Sequence, residues 1–183
     1  MKHILLVLTM LFTYSGIAQD QINWITLEEA VELQKTEPRK IIMDAYTTWC
    51  GPCKLLDART FTNKDLIAYI NKNYYAVKFN AQGNDTVTFK GKTYTNPKYN
   101  PAKAKTRNSS HELAIALGIR SYPTLLFFDE DANLITPVIG YKTPQQLELY
   151  LKMFTSNKHK DMKTQADFDK YYKEFKATFK DNA

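Results

Sequence analysis

Residues 44–54 read Asp44-Ala45-Tyr46-Thr47-Thr48-Trp49-Cys50-Gly51-Pro52-Cys53-Lys54, and they hold the two cysteines of a 183-residue chain. The apolar residues ahead of them, Ile41-Ile42-Met43, run on into Asp44-Ala45-Tyr46 and read as a buried strand over residues 40–47. That strand delivers the chain to Cys50, from which a helix is predicted to run to Phe61. Pro52 fits the first helical turn, where its missing N–H is no loss. Two cysteines separated by two residues at a helix start can bring their sulfurs to bonding distance, about 2 Å. The helix N-terminus carries partial positive charge and unpaired N–H groups, which favour a thiolate on the first cysteine. Cys50 is then the attacking sulfur, and Cys53, one turn inside, is the shielded sulfur that resolves a mixed disulfide.

Other uses of the pair fit less well. A structural disulfide closing so short a loop would constrain the unfolded chain very little. Zinc would need further ligands, and His111 or His159 would have to supply them without motif spacing. Covalent haem attachment needs a histidine directly after the second cysteine, where Lys54 stands. With 44% hydrophobic and 24% charged residues, the chain can build a core without a staple. The cysteines are thereby left for redox chemistry, and that chemistry calls for no cofactor and no metal.

Outward from this centre the pattern is α/β. A helix is predicted over residues 24–35, with Thr26 and Glu29 as a capping box. Thr62 opens another helix with Asp65 in its first turn, and residues 74–80 form a second strand. Val87-Thr88-Phe89 and Thr93-Tyr94-Thr95 flank Lys90-Gly91-Lys92 and suggest a β-hairpin. Ser109 and Glu112 read as the capping box of a helix ending at Gly118. Residues 124–128 and 134–139 are strands paired through a turn at Asp129 to Asn133, and Pro144 begins a helix through Phe154. Beyond a polar linker, Phe168, Tyr171, Phe175 and Phe179 recur at helical spacing over residues 166–179. That stripe reads as a helix packed back on the domain, or else as one that binds a partner.

The stretch from Asp44 to Lys54 resembles the active site of thioredoxins, with Trp49-Cys50-Gly51-Pro52-Cys53-Lys54 as its core. Gly118-Ile119-Arg120-Ser121-Tyr122-Pro123-Thr124 resembles the family's loop bearing a cis-proline. The resemblance implies a thioredoxin-like fold, a central mixed sheet flanked by helices, over residues 19–155. The hairpin within about 81–109 is then an insertion, and residues 156–183 are a linker and helical extension. It implies a redox-active Cys50–Cys53 disulfide, a cis Pro123, and a Tyr122 backbone that pairs with a bound substrate strand. Trp49, Gly51 and Pro52 would complete the substrate contact. Asp44 would be the buried carboxylate that takes the proton of Cys53, its pKa raised by burial. Lys78 would lie near that acid, and Gly140 near the end of the last strand would approach the site. Tyr122-Pro123-Thr124 is closer to protein disulfide isomerase domains than to cytoplasmic thioredoxins.

Lys2, His3, the apolar run over residues 4–14 and the small residues Gly16 and Ala18 read as a signal peptide over residues 1–18. The run is too short to span a bilayer, so no stable membrane insertion is expected. The formal net charge is +6, with lysines dense over residues 90–107 and after Lys152. No nucleic-acid motif accompanies them, and no nucleic-acid partner is expected. An export signal, and no retrieval motif at Asp181-Asn182-Ala183, suit the periplasm or envelope of a bacterium.

The expected activity is thiol–disulfide exchange with protein substrates, re-reduced by a membrane-linked electron donor. Gly-Pro between the cysteines resembles thioredoxin, whose potential is about −270 mV against about −120 mV for strong oxidants. A reductase or isomerase is therefore expected over a disulfide-forming oxidase. The rival is a partner-binding thioredoxin-fold protein in which redox activity is secondary. A thiol peroxidase would need a peroxide-activating environment that the sequence does not suggest.

Overall fold

The computed structural model describes residues 21–181, and the signal read over residues 1–18 lies outside them. In chain order, strand β1 (Trp24–Ile25) leads to helix α1 (Leu27–Gln34), β2 (Lys40–Tyr46), α2 (Gly51–Leu55), α3 (Lys64–Asn73) and β3 (Tyr74–Asn80). A hairpin of β4 (Val87–Phe89) and β5 (Lys92–Tyr94) follows. Then come α4 (Glu112–Ala116), β6 (Thr124–Phe128), β7 (Leu134–Ile139), α5 (Pro144–Thr155) and α6 (Gln165–Glu174). The main sheet runs β1-β3-β2-β6-β7. β1, β3 and β2 are parallel, while β6 is antiparallel to both β2 and β7. No helix among the described residues is long and apolar enough to cross a membrane.

Period-two alternation gives the sheet two buried faces. Ile41, Met43 and Ala45 of β2 share one core with Leu27 and Ala30 of α1, Leu113 of α4 and the hairpin residues Val87 and Phe89. Ile42 turns the other way, into a second core with Leu56, Ile67, Leu147 and Phe154. Asp44 lies two residues beyond Ile42 and so falls on this second face, where Leu56 just after α2 packs with α3 and α5. The two-residue strand β1 is too short to show any period, and on sequence grounds it merges with the helix that Thr26 caps.

Four boundaries differ from expectation. The helix predicted through Phe61 leaves α geometry after Leu55: residues Leu56–Thr60 form a π-helical turn, closed by Phe61 N–H donating to Leu56 O at 2.9 Å. Asn63, not Thr62, caps α3, its side chain accepting from Leu66 N at 3.0 Å. His111, not Ser109, caps α4. Ser109 Oγ instead donates to the buried Asn96, and Glu112 reaches across to Thr95 N–H. At the C-terminus α6 stops at Glu174. Phe168, Tyr171 and Phe179 pack against the second core, so the stripe does fold back on the domain.

Candidate active site

β2 ends at Tyr46, and a short loop turns the chain into α2 with Cys50 as its N-cap. Cys50 and Cys53 form a disulfide, and both are almost fully buried, at 3% and 2% exposed. Cys53 N–H donates to Cys50 Sγ at 3.1 Å, and Lys54 N–H to Cys50 O at 3.3 Å. Once the bond is reduced, the Cys53 amide faces the negative charge that develops on the first sulfur and stabilises it. Gly51 and Pro52 are exposed beside the pair.

The Tyr122–Pro123 peptide is cis. Cys50, Tyr122 and Trp49 line one open groove of about 610 Å³. The far side of the cis-proline loop is tied down by Gly140, whose N–H donates to Pro123 O at 2.8 Å. Gly140 has φ +83°, and a Cβ placed there would meet only Lys142 Nζ, at 3.9 Å. The backbone conformation, rather than close approach, is what demands glycine.

Asp44 is 1% exposed, and neither carboxylate oxygen has a hydrogen-bond partner among the described residues. Lys78 stands opposite it on β3, with Nζ 3.4 Å from Oδ2. Burial raises the Asp44 pKa from 3.8 to about 6; Lys78 pulls it back, and the charge of Asp57 adds to the rise. Asp57, in the π-helical turn, is itself ion-paired with Lys78. The lysine is also surrounded by the rings of Trp24, Phe61 and Tyr46, at 4.9, 5.2 and 5.4 Å. Lys78 is therefore shared between two carboxylates, which leaves Asp44 incompletely compensated. In the sequence, Asp57 looks like an ordinary exposed helical acid; the structure places it in the π turn, ion-paired with Lys78.

Trp49 is half-buried and leans on the segment between β3 and α4. Its Nε1 donates to Gln82 Oε1 at 2.8 Å, its ring meets Tyr122 edge-on at 6.0 Å, and the Arg107 guanidinium lies 4.8 Å from its centroid. Gln82 Oε1 also accepts from Asn108 N at 2.9 Å, and Thr48 Oγ1 donates to Ala104 O at 2.7 Å. The inserted segment is thus bonded directly to the active-site loop. Gln82 and Arg107 are site residues that spacing alone did not reveal. His111, a possible metal ligand by sequence, is 0% exposed and accepts through Nδ1 from Leu113 N at 3.1 Å. Its Nε2 therefore carries the proton and donates to Asp85 O at 2.7 Å.

A family model described as a thioredoxin-like domain matches residues 27–155. The thiol-disulfide oxidoreductase ResA of Bacillus thuringiensis (strain Al Hakam) is 24% identical over 142 residues, covering 76% of this chain and 79% of that protein. A thioredoxin-fold protein from Helicobacter pylori superposes with a TM-score of 0.58 at 19% identity, covering 87% of this chain and 91% of the other. A thioredoxin from Thermus thermophilus does so with a TM-score of 0.53 at 13% identity, covering 73% and 87%. Sheet order, cis-proline loop, cysteine pair and family model converge, and this chain belongs to the thioredoxin-like family.

Proposed function

We propose that this protein is a thiol–disulfide oxidoreductase that reduces or isomerises disulfides of other proteins outside the cytoplasm. The observation that carries this reading is the Cys50–Cys53 disulfide capping α2 within a groove that also presents Tyr122 of the cis-proline loop. In the reduced enzyme the Cys50 thiolate attacks one sulfur of a substrate disulfide. The substrate S–S bond breaks, one substrate thiolate leaves, and a mixed disulfide forms. Asp44, with its pKa near 6, takes the proton of Cys53. The Cys53 thiolate then attacks Cys50 Sγ, which releases the second substrate thiolate and closes the disulfide. Two electrons have passed to the substrate, and a dithiol protein, delivering electrons from a membrane donor, restores the reduced pair. Gly51, Pro52 and Trp49 form the contact surface around Cys50, and the Tyr122 backbone pairs with the substrate strand. The extracytoplasmic setting is supported by the apolar, basic-started segment over residues 1–18.

The test is the reduction potential of the protein without residues 1–18, equilibrated in glutathione buffers and read by Trp49 fluorescence or thiol trapping. A value near about −270 mV supports a reductase, and one near about −120 mV reverses the direction of electron flow. Full biological activity in a Cys50→Ser, Cys53→Ser variant would overturn the redox reading in favour of partner binding.

A further inference from the structure

We infer that the groove beside Cys50 selects protein disulfides flanked by acidic side chains, with Arg107 and Arg120 as the cations that read them. This deepens the redox reading and rests on it. The groove has one wall from the inserted segment, bearing Gln82 and Arg107, and another from the loop ahead of the cis-proline, bearing Arg120. No carboxylate among the described residues lines it. Both arginines are exposed, and neither is ion-paired with a carboxylate among the described residues. Two positive charges therefore line the same groove as Cys50 without a carboxylate to compensate them there.

Arg107 is positioned as well as exposed. Its guanidinium lies over the Trp49 ring, and Trp49 is itself pinned through Gln82 to the backbone of Asn108, the next residue. Stacking on an aromatic face leaves the N–H edge of a guanidinium available for a carboxylate, which it grips with two parallel hydrogen bonds. Lys103 and Lys105 flank Ala104, whose carbonyl accepts from Thr48 of the active-site loop, so the segment bonded to that loop carries two further cations. A segment lying along Tyr122 with its cysteine at Cys50 would carry its neighbouring side chains between these walls. Acidic neighbours meet cations there, and lysines meet like charge. Charged clefts of this kind act mainly on the rate of encounter, within a Debye length of about 8 Å at physiological salt.

The experiment uses peptides whose single cysteine is joined to neutral 2-thiopyridine and flanked by glutamate, glutamine or lysine. Stopped-flow absorbance gives the second-order rate constant with the reduced protein. The glutamate peptide is expected to react about tenfold faster than the lysine peptide at low salt. The ratio should fall to roughly threefold or less in about 0.5 M salt, where screening is nearly complete. In the Arg107→Gln, Arg120→Gln double variant it should approach one. Equal rates in the wild type, or a ratio that survives in the double variant, would overturn the proposal. The glutamine peptide separates the two ideas: if Cys50 does not open it, the redox reading itself falls.

Discussion

Asp44 is the residue whose chemistry depends most on its surroundings. A carboxyl buried without hydrogen bonds keeps its proton up to about pH 6, whereas in the unfolded chain it would titrate near 3.8. Between those values the native state holds a proton that the unfolded state gives up, so stability falls as pH rises through the window. Above the window the loss amounts to about 3 kcal/mol, since each tenfold difference in proton affinity is worth about 1.4 kcal/mol. Asp44→Asn removes the titration. Lys78 keeps Asp57 and three rings as partners, so the variant does not strand a buried cation. In urea titrations of the oxidised protein, the variant should gain roughly 2–3 kcal/mol over wild type on going from about pH 4 to about pH 8. A gain that does not change with pH would show that Asp44 titrates normally. Under the proposed mechanism the same substitution should slow release of the mixed disulfide near neutral pH, because it removes the group proposed to take the proton of Cys53.

Among the elements, the insertion is the one most closely joined to the site, and a buried histidine organises it. His111 caps α4 through Nδ1 and holds Asp85 through Nε2, while its backbone N–H donates to Ala81 O at 2.9 Å. His111→Leu keeps the bulk but leaves Leu113 N–H and Asp85 O without partners. The expected cost is about 1–3 kcal/mol of unfolding free energy, set by the buried Leu113 N–H, since Asp85 is exposed and its carbonyl can turn to water. Amide exchange at Leu113 should accelerate with it. Loss of stability without faster exchange at Leu113 would refute the cap. The hairpin was readable from the β-prone residues on either side of Gly91; the structure shortens the expected Lys90-Gly91-Lys92 turn to Lys90 and Gly91, which adopt φ of +50° and +75°, and pairs Lys92 with Phe89. The α4 cap was not readable, because a histidine that caps a helix looks like any other histidine until Ser109 is seen bonded to Asn96.

Across the whole molecule, the C-terminal tail closes over α3 and α5. Glu148, 0% exposed on α5, accepts from Thr178 N–H and Phe179 N–H, each at 2.9 Å, and from Thr178 Oγ1 and Lys152 Nζ. Asp65 accepts from Lys180 N–H, and Asn63 donates to Lys180 O. Burial opposes the charge on Glu148, but the donors from Lys152, Thr178 and Phe179 outweigh it and hold the carboxyl below its usual 4.5. A depressed carboxylate contributes stability above its unfolded pKa and loses it as pH falls below. Glu148→Gln should therefore release the tail at neutral pH, raising amide exchange at Thr178 and Phe179 at least about tenfold while the central strands stay protected. Unchanged exchange at those two amides would show that the tail is held by other contacts.

Several features were determined by the sequence alone. The strand bounds of β3, β6 and β7, those of β2 to within one residue, and the cysteine pair at a helix start follow from local signals, runs of apolar residues and turn residues, whereas the cis Pro123 came from the resemblance of residues 118–124 to the thioredoxin loop. The tertiary structure decided what depends on residues far apart in the chain. Lys78 divides itself between Asp44 on β2 and Asp57 in the π turn after α2, and Arg107 of the insertion lies over Trp49, whose indole is bonded to Gln82. Glu148 is buried with its charge only because the tail returns to supply the donors. Local patterning reports which backbone shape a segment prefers, whereas the pKa of a buried acid or the charge of a groove is a sum over neighbours that the fold alone assembles.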